Sequence, residues 1–185
     1  RGLDRDYVTQ WSYGIGETWT LLVPNTKGGA SMPLSQSETA MSKADSQYRP
    51  LYQQLGQYWG EQPGTSGPVY VGAFVCMLFV LCLLIVRGPV CWALLLATML
   101  SIALSWGKNF MGLTDFFLDY VPMYDKFRTV ASILVIAEFT IPLMAVMALK
   151  RFVEDPSCVH VRVPIINKEI NALWLSFAIT AGICL

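Results

Sequence analysis

Four stretches of this chain are almost continuously apolar: Val69 to Val86, Val90 to Trp106, Thr129 to Leu149, and Ala172 to the end. A helix needs roughly 20 apolar residues to cross about 30 Å of hydrocarbon, so the first three are long enough to span a bilayer. Nothing else in the sequence restricts the fold so severely. Lipid offers no hydrogen-bond partner to backbone polar groups, and a segment that enters it must satisfy them internally as a helix or in a closed barrel. The fourth stretch, "ALWLSFAITAGICL", stops with no polar exit, and the chain opens on "RGLDRDY" with neither an initiator methionine nor a signal-peptide pattern. The expectation is an internal fragment of a larger polytopic protein, whose remaining transmembrane helices would be its first partners.

Composition points the same way. The chain is 54% hydrophobic and 14% charged, against about 25% charged in an ordinary soluble domain. Its net charge is zero and its basic residues are scattered, which leaves no electrostatic footprint for nucleic acid. Cys76, Cys82, Cys91 and Cys184 lie inside apolar stretches and Cys158 lies in a loop, with no CxxC pair, so neither a disulfide framework nor a zinc site is indicated.

The predicted architecture is an all-α membrane protein with at least three transmembrane helices (69–86, 90–106 and 129–149) and a truncated fourth (172–185). Residues 1–68 form a region of loops and short helices, 107–128 a loop with an interfacial helix, and 150–171 a further loop. "RGP" at Arg87 to Pro89 makes a tight hairpin of the first two spans. With that turn in the cytoplasm, Arg87, Lys150, Arg151, Arg162 and Lys168 fall inside and Lys108, Lys126 and Arg128 outside. The positive-inside rule favours this orientation, which makes 1–68 and 107–128 extracytoplasmic and 150–171 cytoplasmic.

Within the outer segments, "WSYGIGETWTLLVPNTKGGAS" supports turns and short extended pieces rather than a helix. Ser37 is placed to cap a short helix that ends before Pro50, and a second could run from Pro50 to about Tyr58. Thr114 to Tyr120 is predicted as a short helix stopped by Pro122, with Asp115 and Asp119 on one face.

Glu138 is the feature that stands out within the spans. An acid inside hydrocarbon costs about 2.5 to 3.5 kcal/mol on insertion scales and faces a bundle interior or a cavity by default. Pro142 cannot donate to the Glu138 carbonyl and so bends the helix there. Hydrogen bonding to a neighbouring span is the alternative to lining a cavity for a lipid carrier or a proton. His160, the only histidine, falls in the predicted cytoplasmic loop away from the other candidates, which argues against a histidine-based catalytic centre.

Three stretches carry a resemblance: "QWSYGIGETWTLLVPNTKGGAS" (10–31), "YWGEQPGTSGPVYVGA" (58–73) and "SWGKNFMGLTDFFLDYVPMYDKFRTV" (105–130), the last with a Pro-x-Tyr-x-Lys-Phe-Arg core. Together they resemble the YfhO family of bacterial multi-pass membrane proteins, in the form common among Bacteroidetes. That family is similar to the glycosyltransferase C superfamily, whose members transfer a sugar from a polyprenyl-phosphate carrier at the outer face of the membrane. The resemblance implies a bacterial inner-membrane location, contact with membrane lipids and a polyprenyl-phosphate sugar donor. It also implies a catalytic acid in a first outer loop upstream of residue 1.

A lipid-linked donor requires cations at the bilayer surface and aromatics above them. Lys108, Lys126 and Arg128 could gather on one phosphate, with interfacial anchoring or pairing to nearby aspartates as the alternative. Trp59, with Glu61 and Tyr58, offers a stacking platform and a carboxylate for a sugar; belt aromatics read the same way. Glu17 is a weak candidate for a base toward an acceptor hydroxyl, against an ordinary loop carboxylate. No cofactor is predicted, although Asp115 and Asp119 could hold a divalent metal; two solvated carboxylates are the alternative. A lipid or solute transporter and a non-catalytic scaffold are the competing functions.

Overall fold

A computed structural model describes residues 3–63, 69–126, 129–163 and 168–184. The helices are α1 (Arg5–Thr9), α2 (Glu38–Lys43), α3 (Ala73–Ile85), α4 (Pro89–Ser105), α5 (Met111–Tyr120), α6 (Val135–Glu154) and α7 (Ala172–Cys184). Four short strands accompany them: β1 (Gly28–Pro33), β2 (Gly56–Tyr58), β3 (His160–Val163) and β4 (Lys168–Asn171). Several single 3-10 turns complete a mostly helical chain. Two compact units emerge, the first from Arg1–Thr20, Pro24–Tyr70 and Trp106–Ala131, the second from Leu21–Val23, Val71–Ser105 and Ser132–Leu185.

The first unit has little regular structure. Strands β1 and β2 pair antiparallel with an irregular register between Gly28↔Tyr58 and Pro33↔Gly56. Ser37 caps α2 as its position suggested, its hydroxyl accepting the Ala40 N–H at 3.3 Å. The helix is shorter than anticipated and stops at Lys43, and the stretch from Pro50 forms a 3-10 turn and then β2 rather than a second helix. Helix α5 begins three residues before Thr114 and ends at Tyr120 as expected. "IGETWTL" winds as a 3-10 helix, Ile15–Leu21, where only turns and extended pieces were anticipated.

The second unit packs α3, α4, α6 and α7 together. Its core joins Leu78, Leu81, Cys82 and Ile85 of α3 to Met144, Ala145 and Ala148 of α6. Ala137, Ile141, Met144, Ala145 and Ala148 recur at helical spacing, so one stripe of α6 is buried. Bulky apolar side chains on the other faces stay exposed: Phe74 on α3, Trp92, Leu96 and Met99 on α4, Val135, Phe139 and Val146 on α6, and Trp174 and Phe177 on α7. Buried instead are Thr98, Ser101, Ser105, Thr140, Ser176 and Thr180.

Helix α3 falls well short of the apolar stretch that encodes it, 13 residues against the 18 of Val69–Val86. Among the described residues, one helix is long and apolar enough to cross a membrane alone: Val130–Glu154, 25 residues including its leading 3-10 turn. Helices α3 and α7 have 13 residues each and α4 has 17. At 1.5 Å per residue, 13 residues cover about 20 Å, short of about 30 Å of hydrocarbon. The loss at the start of α3 has a local cause. The N–H groups of Val71 and Gly72 both donate to the Leu21 carbonyl, at 3.1 and 3.2 Å. Gly72 has φ +113°, so the chain before Ala73 is extended and apolar but not helical.

The boundary between the 3-10 turn Val130–Leu134 and α6 also has a named cause. Ser101 Oγ of α4 donates to the Ile133 carbonyl at 2.7 Å and accepts the Ala137 N–H at 3.3 Å. A hydroxyl thus stands where the i→i−4 bond between those two groups would form. Residues 150–155, expected as loop, begin with five residues that extend α6 to Glu154. Beyond a 3-10 turn, β3 and β4 pair in register from His160↔Asn171 to Val163↔Lys168.

Candidate functional site

In the first unit, three segments distant in sequence meet: Tyr13 to Glu17, Tyr58 to Glu61, and Lys108 with Asn109. Asn109 ties them, its Nδ2 donating to the Tyr13 carbonyl at 3.1 Å and to Glu61 Oε2 at 2.9 Å. Ser12 Oγ holds the third segment by accepting the Lys108 N–H at 2.9 Å. Trp106 Nε1 donates to the Thr18 hydroxyl at 2.9 Å. The turn that carries Lys108 and Asn109 is therefore fixed on both sides.

Glu17 is 1% exposed. Its Oε2 accepts the Gly14 N–H at 2.6 Å, and its Oε1 accepts the Tyr58 hydroxyl. Tyr13 closes the same turn, its hydroxyl donating to the Glu17 carbonyl at 3.0 Å and pairing with the Thr20 hydroxyl at 2.7 Å. A carboxylate so enclosed has both oxygens occupied by its own chain. Glu17 therefore organises the site from beneath, and the base toward an acceptor that it was a weak candidate for is not offered by this geometry.

Glu61 is the carboxylate that faces outward. Its side chain is 45% exposed, and Oε2 receives Asn109 and stands 3.5 Å from Lys108 Nζ. The two glutamates approach one another across Gly14, where a Cβ would lie 2.9 Å from Glu17 Oε2 and 3.1 Å from Glu61 Oε1. Among the described residues Glu61 Oε1 receives no hydrogen bond. Trp59, two residues before Glu61 in the chain, is 66% exposed; its backbone N–H donates to the Lys27 carbonyl at 2.8 Å and its indole lies against Gly28. The Lys27 side chain passes Gly16, placing a cation on the Glu17 side of the cluster.

Other predicted site residues fall elsewhere. Lys126 pairs with its neighbour Asp125 at 3.5 Å while Lys108 pairs with Glu61, so each cation has its own carboxylate. Arg128 lies outside the described residues. Asp115 and Asp119 do share one face of α5, and Arg5 forks between them, Nη1 to Asp115 at 2.6 Å and Nη2 to Asp119. A guanidinium thus stands where a divalent metal would have to sit. Among the described residues, no group of three metal-ligating side chains comes together. Glu138, in the second unit, is half-buried on α6 one turn before Pro142 and has no side-chain hydrogen bond or ion pair among the described residues.

Sequence reasoning missed Asn109, Tyr13 and Arg5, whose long-range partners lie 48 to 114 residues away. It also passed over Tyr124, whose buried hydroxyl has no hydrogen-bond partner among the described residues and whose acidity burial weakens, pushing its pKa up. The signal that was available is coincidence: the three segments that meet here are those that carried the family resemblance. No family model, curated protein or solved structure matches the chain.

Proposed function

We propose that the chain forms part of a membrane-embedded glycosyltransferase that draws on a polyprenyl-phosphate-linked sugar at the outer face of a bacterial inner membrane. In this reading the first unit presents the sugar-binding face, and α3, α4, α6 and α7 are the lipid-embedded segments, short ones included. The observation that carries it is the cluster of Glu61, Lys108 and Asn109, in the segment that also carries the exposed Trp59. An exposed indole gives a flat apolar surface for a sugar ring. Glu61 Oε1 can accept from sugar hydroxyls, and Lys108 can turn from Glu61 to a phosphate oxygen. The exposed bulky residues of the second unit, set against its buried Ser and Thr, support a lipid surrounding.

Transfer from a polyprenyl-phosphate sugar, assayed in membranes, tests this. Trp59→Ala and Glu61→Gln should each weaken apparent donor or acceptor affinity about tenfold, the size of one lost stacking surface or one charge-assisted hydrogen bond. Undiminished transfer by both variants, with normal insertion, would remove the sugar-binding face.

Glu138 favours a second reading, transport of a lipid or solute. A half-buried acid with no partner among the described residues, beside a proline, suits a titrating group in a moving helix. There, Glu138→Gln abolishes proton-coupled uptake and leaves Trp59 and Glu61 without effect.

A further inference from the structure

The second unit contains a cavity of about 530 Å³ lined by Leu84, Ile85, Val86, Arg87, Arg151, Cys158, His160 and Val161. Arg87 follows α3, Arg151 closes the last turn of α6, and His160 opens β3. Among the described residues, two guanidiniums and an imidazole therefore line a wall whose other members are apolar or neutral, with no carboxylate. Arg151 is held by Asp155 at 3.4 Å, an exposed pair on successive helical turns and so a weak one. Arg87 has no hydrogen bond or ion pair among the described residues.

A second cavity of about 290 Å³ shares Leu84, Val86 and Arg87 with the first and is otherwise lined by Leu83, Cys91 and Trp92. Arg87 thus stands between a cationic lobe and an apolar one. A small soluble anion would use only the first lobe. A ligand with a phosphate joined to a hydrocarbon stem uses both, its stem following Leu83 and Trp92.

We propose that the paired cavities bind a phosphate diester, and that the occupant is an anionic phospholipid with its headgroup between Arg87 and Arg151. Arginine is the side chain that grips phosphate oxygens two at a time, and basic recesses at the ends of apolar helices suit such headgroups. The site is distinct from the sugar-binding face; it rests on the lipid-embedded part of that reading and not on its transfer chemistry, because binding is measured here without any transfer reaction.

The test is binding of the purified full-length protein to nanodiscs of phosphatidylglycerol or phosphatidylcholine, followed by native mass spectrometry of retained lipid. Phosphatidylglycerol should be retained in preference. Arg87→Gln and Arg151→Gln should each cut that retention about tenfold, the loss of one charge-assisted hydrogen bond. Lys150→Gln, one residue away and outside both cavities, should leave it unchanged and so controls for general surface charge. Equal retention of the two lipids, or equal losses in all three variants, would overturn the proposal. So would Arg87-dependent binding of inorganic phosphate in detergent that phosphatidylglycerol fails to displace, since the occupant would then be a soluble anion.

Discussion

The two units put polar side chains to different uses. In the first, buried hydroxyls also turn back locally, Thr9 on Arg5 and Thr20 on Glu17, but other buried and half-buried side chains link segments far apart in sequence: Asn109 to Tyr13 and Glu61, Ser12 to Lys108, Thr18 to Trp106, Tyr58 to Glu17. In the second, most turn back on their own helix, Thr98 on Leu94, Ser105 on Ile102, Ser176 on Leu173 and Thr180 on Ser176. A region with few long elements depends on individual hydrogen bonds for its shape. A helical region has its backbone already satisfied, so its buried hydroxyls need only avoid being left unpaired.

That contrast is breakable, and the first unit should break first. Glu17→Ala leaves the Gly14 N–H and the Tyr58 hydroxyl without their acceptor, which costs about 3 kcal/mol or more. Gly60→Ala strikes the same place from the other side, because a Cβ there would lie 1.7 Å from Glu17 Oε1 and 2.0 Å from the Tyr58 hydroxyl. Limited proteolysis should show both variants cut within residues 10–63 while 73–105 stays protected. Equal loss of protection in the two regions would mean that the units do not differ in this way.

The second unit should respond less. Thr98 and Thr140 share a hydrogen bond of 2.6 Å between α4 and α6, yet each also has a carbonyl of its own helix in reach. A double-mutant cycle with Thr98→Val and Thr140→Val should give a coupling of about 0.6 kcal/mol and no more than about 1.7, the average and the upper limit for side-chain hydrogen bonds between apolar helices. A coupling well above that would make the pair as decisive as Glu17.

The smallest effect concerns Asp155, whose carboxyl is held below its ordinary value first by the Ser157 hydroxyl, aided by the Ser157 N–H and Arg151. A carboxylate with a lowered folded-state pKa stabilises the fold above its unfolded value, and that contribution fades as pH falls through the folded value. Ser157→Ala should therefore raise the Asp155 pKa toward 3.8, read by NMR titration of its carboxyl carbon, and leave stability at neutral pH little changed. An unmoved titration would show that the hydroxyl is not the cause.

The helical class, the Ser37 cap and the shared face of Asp115 and Asp119 were legible because each depends on residues a few positions apart. For Glu17 the sequence offers a weak candidate base or an ordinary loop carboxylate and no more, since nothing near it announces Tyr58. His160 was set aside as isolated, although Arg87 and Arg151 line the same cavity; two turns of chain had to fold before the three could be seen together. The apolar run from Val69 was read as span throughout, because hydropathy registers what a residue prefers and not that Leu21 holds Val71 and Gly72 out of the helix.

Ser101 sets more than a boundary. A 3-10 turn advances about 120° per residue and an α-helix about 100°, so five residues of the tighter winding accumulate roughly a quarter turn of extra azimuth. Were Ser101 an alanine and Val130–Leu134 to rewind as α-helix, every side chain from Val135 onward would move roughly 2.5 Å along the axis and change its compass bearing relative to the residues just before it. The direction in which Glu138 points would then turn on one oxygen atom of another helix.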